Sequence, residues 1–306
     1  MNVLVAGATG SIGGQVTAEL LASGATVRAL VRSAESAALL PSGVEPVRGD
    51  LRDADSVAAA LAGAETALYV SPHSTQEVQL AETFVSTCER LDVRLVFAGV
   101  AMTMRNPLLR WTMQLLVNTA LRHYRGKVRI ARRIATSNAR PVVFGVANYF
   151  QNDELIRDEI LGGAYYLPAH GSGVNRIDLR DVAEVVARAM TDPAFPTGVY
   201  GLVGPESISG VQAARVWSEA LDRPVRYEGD GPHWPSVLAR HLTGAKLADY
   251  QRTLAFLARH GVPTSARDVT ATAALLGHAP RSYEAYVRAT AQRWASDTVG
   301  VPHGKR

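Results

Sequence analysis

The first fourteen residues, MNVLVAGATGSIGG, restrict what this chain can fold into more than any other segment. Val3, Leu4, Val5 and Ala6 form a short apolar run that leads straight into Gly7, Gly10 and Gly13. An apolar run followed by spaced glycines predicts a buried strand, a tight turn and a helix. The first glycine permits the turn, the second lets backbone approach a pyrophosphate, and the third lets the helix press against the strand. The start of the helix offers N–H groups and a partial positive charge to phosphate oxygens. On this reading Gly7, Thr9, Gly10, Ser11, Ile12 and Gly13 hold the diphosphate of a dinucleotide.

The following residues supply the context that a lone glycine motif lacks. Gln15 to Leu21 reads as a helix with Val16, Leu20 and Leu21 on one side, Gly24 as its stop, and Thr26 to Val31 as a second strand. Further strands are expected at Val44–Val47, Thr66–Val70, Arg94–Ala98 and Arg140–Val146, with helices such as Ala54–Leu61 and Gln76–Leu91 between them. This alternation predicts an α/β fold: a doubly wound, mostly parallel Rossmann-type sheet with helices on both faces. Its ligand crevice lies at the carboxyl ends of the strands. After Asp192 the rhythm changes. A strand is expected at Thr197–Val203, a helix N-capped by Ser209 and ending near Leu221, an extended piece at Pro224–Tyr227, and mainly helix from Pro235 to Trp294. The expected organisation is a dinucleotide-binding domain over 1–148, its sheet completed by parts of 175–203. Residues 149–174 and 204–306 then make a smaller, mainly helical C-terminal substrate lobe.

Composition excludes some classes. With 306 residues, 47% hydrophobic and 20% charged, the chain can bury a full core. No apolar run approaches the ~20 residues of a membrane span, and with a strand starting two residues after Met1 no leader is expected. Cys88 is the only cysteine, which excludes an internal disulfide and a multi-cysteine metal site and makes a reducing, cytoplasmic setting the expectation. No metal site is expected. The net charge is +4, yet the stretch between Asp92 and Asp153 carries no acid and ten basic residues, among them Arg122, Arg125, Lys127, Arg129, Arg132 and Arg133. Such a block suits either an anionic partner or a face balanced by acids from elsewhere in the fold. No helix-turn-helix pattern accompanies it, so direct nucleic-acid binding is not expected. A subunit contact, as in a homodimer, is one further use for such a face.

The end of the second strand bears on cofactor choice. NAD-specific domains carry an acid there for the ribose hydroxyl. Here Arg32 and Ser33 take that place. A guanidinium and a hydroxyl suit a 2′-phosphate, which an acid would repel, so NADP(H) is the expected cofactor. The alternative for Arg32 is an ordinary surface arginine. Ser71, Pro72 and His73 follow the fourth strand and by topology lie over the ribose and pyrophosphate.

Gly198-Val-Tyr-Gly-Leu-Val-Gly-Pro205, Arg223-Pro-Val-Arg-Tyr227 and Pro280-Arg-Ser-Tyr-Glu-Ala-Tyr286 resemble the closing motifs of NmrA-like proteins, an atypical branch of the short-chain dehydrogenase/reductase superfamily. Ser137-Asn138, and then Tyr149, Phe150 and Asn152, stand where members carry Ser-Gly and an aromatic pair ending in Asn. The resemblance implies either an NADPH-dependent reductase of a hydrophobic carbonyl, enone or quinone, or an NADP(H)-sensing regulator without catalysis. A non-redox isomerase or dehydratase that keeps its nicotinamide bound is a third possibility. It also implies that Asp50 and Leu51, after the third strand, hold the adenine; Asp50 as an N-cap is the alternative. Tyr149, Phe150 and Asn152 would line the substrate.

Many short-chain dehydrogenases protonate the product with a Ser and a Tyr-x-x-x-Lys helix. Neither occurs here. Lys127 has the family's spacing to Ser137 and Asn152, His123 stands four residues before it, and Tyr124 follows His123. At 100° per residue, Ile130, Ala131 and Ile134 lie within about 60° of Lys127, while the arginines point the other way. Lys127 would grip the nicotinamide ribose, and His123 or Tyr124 would deliver the proton. The alternative is a lysine stretched along an apolar face. Met102 to Leu121 is long and apolar, and its Met102 and Trp111 suit either a lid over a flat aromatic substrate or an ordinary core helix.

Overall fold

Seven strands with parallel pairings throughout organise the larger part of the chain. The computed structural model describes residues 1–101, 124–146 and 148–299, together with 103, 108, 111, 115, 117 and 119. The chain forms two units. The first comprises Met1–Ala147, Leu179–Leu202 and Ala274–Gly277; the second comprises Asn148–Asp178, Val203–Ala273 and His278–Arg306.

In the first unit the strands are β1 (Asn2–Ala6), β2 (Thr26–Val31), β3 (Val44–Arg48), β4 (Thr66–Tyr69), β5 (Arg94–Gly99), β6 (Val142–Gly145) and β9 (Gly198–Gly201). Their order is β3-β2-β1-β4-β5-β6-β9. The register aligns Val47, Leu30, Ala6, Tyr69, Phe97, Val143 and Val199 in one row across the sheet. All carboxyl ends therefore open on the same edge, and the turns that follow them share it. The central strands are apolar without interruption because both faces are covered. The outer strand β3 alone tolerates Pro46, as an edge strand can.

The helices are α1 (Ser11–Ala22), α2 (Ala34–Ala38), α3 (Ala54–Leu61), α4 (Glu77–Leu91), α5 (Arg125–Ala135) and α7 (Leu179–Thr191). α1 packs on α7, while α3, α4 and α5 pack in sequence. Leu4, Tyr69, Leu95, Phe97 and Val143 of the sheet meet Val57, Phe84, Val85, Ile130 and Ile134 of the helices in one core. Cys88 lies in that core, and burial pushes its thiol up to about 12. No described helix is long and apolar enough to cross a membrane.

The second unit has α6 (Arg157–Leu161), β7 (Ala164–Tyr165), β8 (Val174–Asn175), β10 (Ser207–Ile208), α8 (Gly210–Leu221), β11 (Arg226–Tyr227), α9 (Trp234–His241), α10 (Gly244–Arg259), α11 (Ala266–Leu276, whose last residues count with the first unit) and α12 (Tyr283–Val299). Ser209 caps α8 as expected, with Gln212 completing a reciprocal capping box. Trp217 and Trp294 stack at 4.7 Å. At the centre lies Asp153, fully buried, which accepts hydrogen bonds from Arg176 Nη2 (2.5 Å), Tyr165 Oη (2.8 Å), Trp217 Nε1 (3.0 Å) and Tyr283 Oη. A buried carboxylate persists only with such compensation.

Candidate cofactor and substrate sites

The glycine turn at the end of β1 is built as its spacing predicts. Gly7 takes φ +101°, and a Cβ on it would stand 3.1 Å from Val70 Cβ on the neighbouring strand's continuation. Gly10 N–H donates to Gly7 O at 3.0 Å, closing the turn. A Cβ on Gly13 would collide with the Gly7 carbonyl, so only glycine lets the first turn of α1 sit this close. The helix starts at Ser11, four residues earlier than the apolar periodicity alone suggests. Its cap residue, Gly10, makes no side-chain hydrogen bond, and its first turn carries no acid. Thr9, Gly10 and Ser11 are exposed, while Ile12 is half-buried. The cradle thus presents unengaged backbone donors and a positive helix end, an arrangement that fits a diphosphate.

Arg32 follows β2 on the same edge. It is exposed and makes no hydrogen bond or ion pair among the described residues. Ser33 caps α2, its Oγ accepting from Ser36 N at 3.3 Å. Asp50 follows β3 and is gripped by Arg52, with Nε at 3.1 and 3.0 Å and Nη2 at 2.5 Å. The Arg52 hydrogen bonds, with the Arg52 and Arg32 charges adding, hold its carboxyl down at about 2. The N-cap of α3 is Asp53, not Asp50. Leu51 packs against the edge of the core. After β4, Ser71 and Pro72 are half-buried and His73 is exposed. The buried Ser71 Oγ completes no hydrogen bond of ordinary geometry among the described residues. The Tyr69 hydroxyl lies beside it.

Lys127 lies in the first turn of α5, which runs unbroken through Gly126. Its side chain is 12% exposed and its Nζ meets Glu77 Oε2 at 3.1 Å; the Glu77 side chain is 13% exposed. Tyr124 is the half-buried cap residue of this helix, and His123 lies outside the described residues. Of the arginines, Arg125, Arg129 and Arg132 are exposed. Arg133 departs from the expected outward face: it lies across α4, bound to Glu82 (2.9 Å) and Glu89 (2.7 Å). Arg140 contacts Asp92 at 3.5 Å. The acid-free block is therefore partly balanced by acids of α4 and its C-terminal cap.

In the second unit a small recess of about 20 Å³, room for about one water, is walled by Leu155, Leu167, Pro168, Val174 and Leu254, with Asn148, Asn152, Tyr250 and Arg176 as polar lining. Asn152 is where the expectation puts a substrate contact. Tyr149 Oη meets Tyr250 Oη at 3.0 Å, Tyr250 Oη donates to Asn152 Oδ1 at 3.1 Å, and Asn152 Nδ2 donates to Asn148 Oδ1 at 2.5 Å. Phe150 corrects the expectation. It is fully buried in the core against Tyr283 and Tyr286, with ring centroids at 5.1 and 5.5 Å, and cannot touch a substrate. Trp111 is helical and 64% exposed. Met102 lies outside the described residues. Sequence reasoning missed Glu77, Tyr250 and Asn148. An acid opening a helix on the crevice edge was the one local signal available for Glu77.

The model of the NmrA-like family matches residues 1–239. The NAD(P)H azoreductase of Xenophilus azovorans is 30% identical over 230 residues, 74% of this chain and 76% of that protein. The Escherichia coli NADPH-dependent quinone oxidoreductase, solved with NADPH, superposes with a TM-score of 0.73 at 18% identity, over 96% of this chain and 99% of that one. NmrA, a negative transcriptional regulator solved with NADP, superposes with a TM-score of 0.70 at 16% identity, over 98% of each chain. These structures share the fold. With a family model that spans the whole parallel sheet and reaches α9, this chain belongs to the NmrA-like family.

Proposed function

We propose that the protein is an NADP(H)-dependent reductase acting on a hydrophobic carbonyl, enone or quinone. The observation that carries this reading is the carboxyl edge of the sheet, where a glycine cradle, an uncapped helix start and the exposed Arg32 guanidinium follow neighbouring strands. NADPH, when bound, supplies a hydride from its nicotinamide ring. The backbone of Gly10 to Gly13 binds the diphosphate, with Gly7 and Thr9 shaping the turn. Arg32 and Ser33 bind the 2′-phosphate. Asp50 keeps acceptor capacity beyond its Arg52 contacts for the adenine amino group, and Leu51 packs on the ring. Ser71, Pro72 and His73 line the ribose and pyrophosphate. Lys127 holds ribose hydroxyls, and Tyr124 or His123 supplies the proton. The named chemistry of the azoreductase and the quinone oxidoreductase supports an acceptor with an extended π system.

The test is NADPH consumption by the purified chain against a panel of quinones, enones, azo compounds and aromatic ketones. Turnover with at least one class, faster with NADPH than NADH, is expected. Tight NADPH binding with no turnover across the panel would reject the reductase. One observation favours a second reading in that event: Leu108, Trp111 and Leu115 are helical, exposed and spaced to share one face, as a docking surface for a partner of a redox-sensing regulator would be.

A further inference from the structure

We propose that Glu77 is a positioning residue: its carboxylate holds the Lys127 ammonium on the carboxyl edge of the sheet, in the orientation that grips the cofactor. The inference rests on the assignment of Lys127 to the cofactor made above, and adds a residue that neither sequence nor comparison supplies.

Lys127 occupies an unfavourable place for a cation. It sits in the first turn of α5, where the helix dipole is positive. The other basic residues near this start, Arg125 and Arg129, turn to solvent, whereas Lys127 stays mostly buried. Glu77 pairs with it there at 3.1 Å. It is the first residue of α4, where the dipole favours an acid, and both helices begin on the crevice edge.

Gly126 gives independent support. A Cβ on it would collide with Glu77 Oε1, so the glycine makes room for the carboxylate against the backbone of α5. The surroundings are polar as well. The Tyr69 and Ser71 hydroxyls, at the end of β4, are buried and face each other. Burial raises the Tyr69 phenol, the Ser71 hydroxyl beside it opposes the rise, and the Glu77 charge adds to it. A mere staple between α4 and α5 does not explain the pair. Arg133 already fastens these helices through Glu82 and Glu89, in a more exposed and less costly place.

The experiment measures NADPH dissociation constants by fluorescence, with thermal melts, on the full chain as parent, Glu77→Ala, Lys127→Ala, the double variant and Gly126→Ala. Glu77→Ala is expected to weaken binding about tenfold, the scale of one charge-assisted contact. In the Lys127→Ala background the same change should add less than about twofold, because a residue acting through another is silent once that other is gone. Gly126→Ala keeps every functional group yet displaces the carboxylate, and should weaken binding in the same direction. If Glu77→Ala does not fold, Glu77→Gln and Gly126→Ala carry the comparison. Unchanged or tighter binding in the Glu77 and Gly126 variants, or an equal loss with and without Lys127, overturns the proposal. A parent chain that binds no NADPH overturns the cofactor assignment itself. A parent that binds while the Glu77 and Gly126 variants match it overturns positioning alone.

Discussion

Replacing Arg32 with glutamate isolates the 2′-phosphate from the rest of the cofactor. Arg32 is exposed and makes no hydrogen bond or ion pair among the described residues, so its removal should leave the melting temperature nearly unchanged. Its loss for NADPH has two parts. A charge-assisted hydrogen bond to phosphate contributes about 1.5–3 kcal/mol. A new carboxylate facing the phosphate, in a solvent-screened place, adds repulsion of roughly 1 kcal/mol. The neighbouring Asp50, held ionised by Arg52, makes the replaced edge more negative still. The sum is about 3 kcal/mol, or about a hundredfold in affinity. NADH lacks the 2′-phosphate and should change by no more than about threefold, since only long-range repulsion reaches its diphosphate. Fluorescence titration of parent and Arg32→Glu with both cofactors decides it, and the NADPH preference of the parent should shrink as salt rises. Equal losses for NADPH and NADH, or none for either, would place Arg32 outside the site.

Gly13→Ala should lose cofactor binding and cost about 1–3 kcal/mol of stability, because its Cβ meets the Gly7 carbonyl and α1 must shift; a normal melt with normal NADPH affinity would contradict the close packing. Lys127→Ala should lower kcat/KM about a hundredfold while Arg129→Ala, on the exposed side of α5, stays near parent; equal rates in both would make Lys127 structural. Asp153→Asn should destabilise the protein by about 3–5 kcal/mol in chemical denaturation, since it leaves the Arg176 guanidinium buried without its counter-charge; an unchanged midpoint would show that the Asp153 hub carries little stability.

What could be read from the chain alone was local. The turn at Gly7 to Gly13, the apolar strands and the Ser209 cap each depend on residues within a few positions of one another, so spacing and residue type suffice. The inward turn of Lys127 was legible for the same reason, because helical periodicity places Ile130, Ala131 and Ile134 beside it. The resemblance of the closing motifs to NmrA-like proteins extended that reading to the family.

Tertiary structure decided the partners. Glu77 lies 50 residues before Lys127, and Glu89 lies 44 before Arg133. Asp153 gathers Trp217 from 64 residues away and Tyr283 from 130. Phe150 shows the same limit from the other side: an aromatic in a motif reads alike whether it faces a ligand or a core, and only the packing of Tyr283 and Tyr286 around it settled which. Periodicity fixes the direction in which a side chain leaves its own element, but burial and charge pairing depend on which distant element the folded chain brings to meet it.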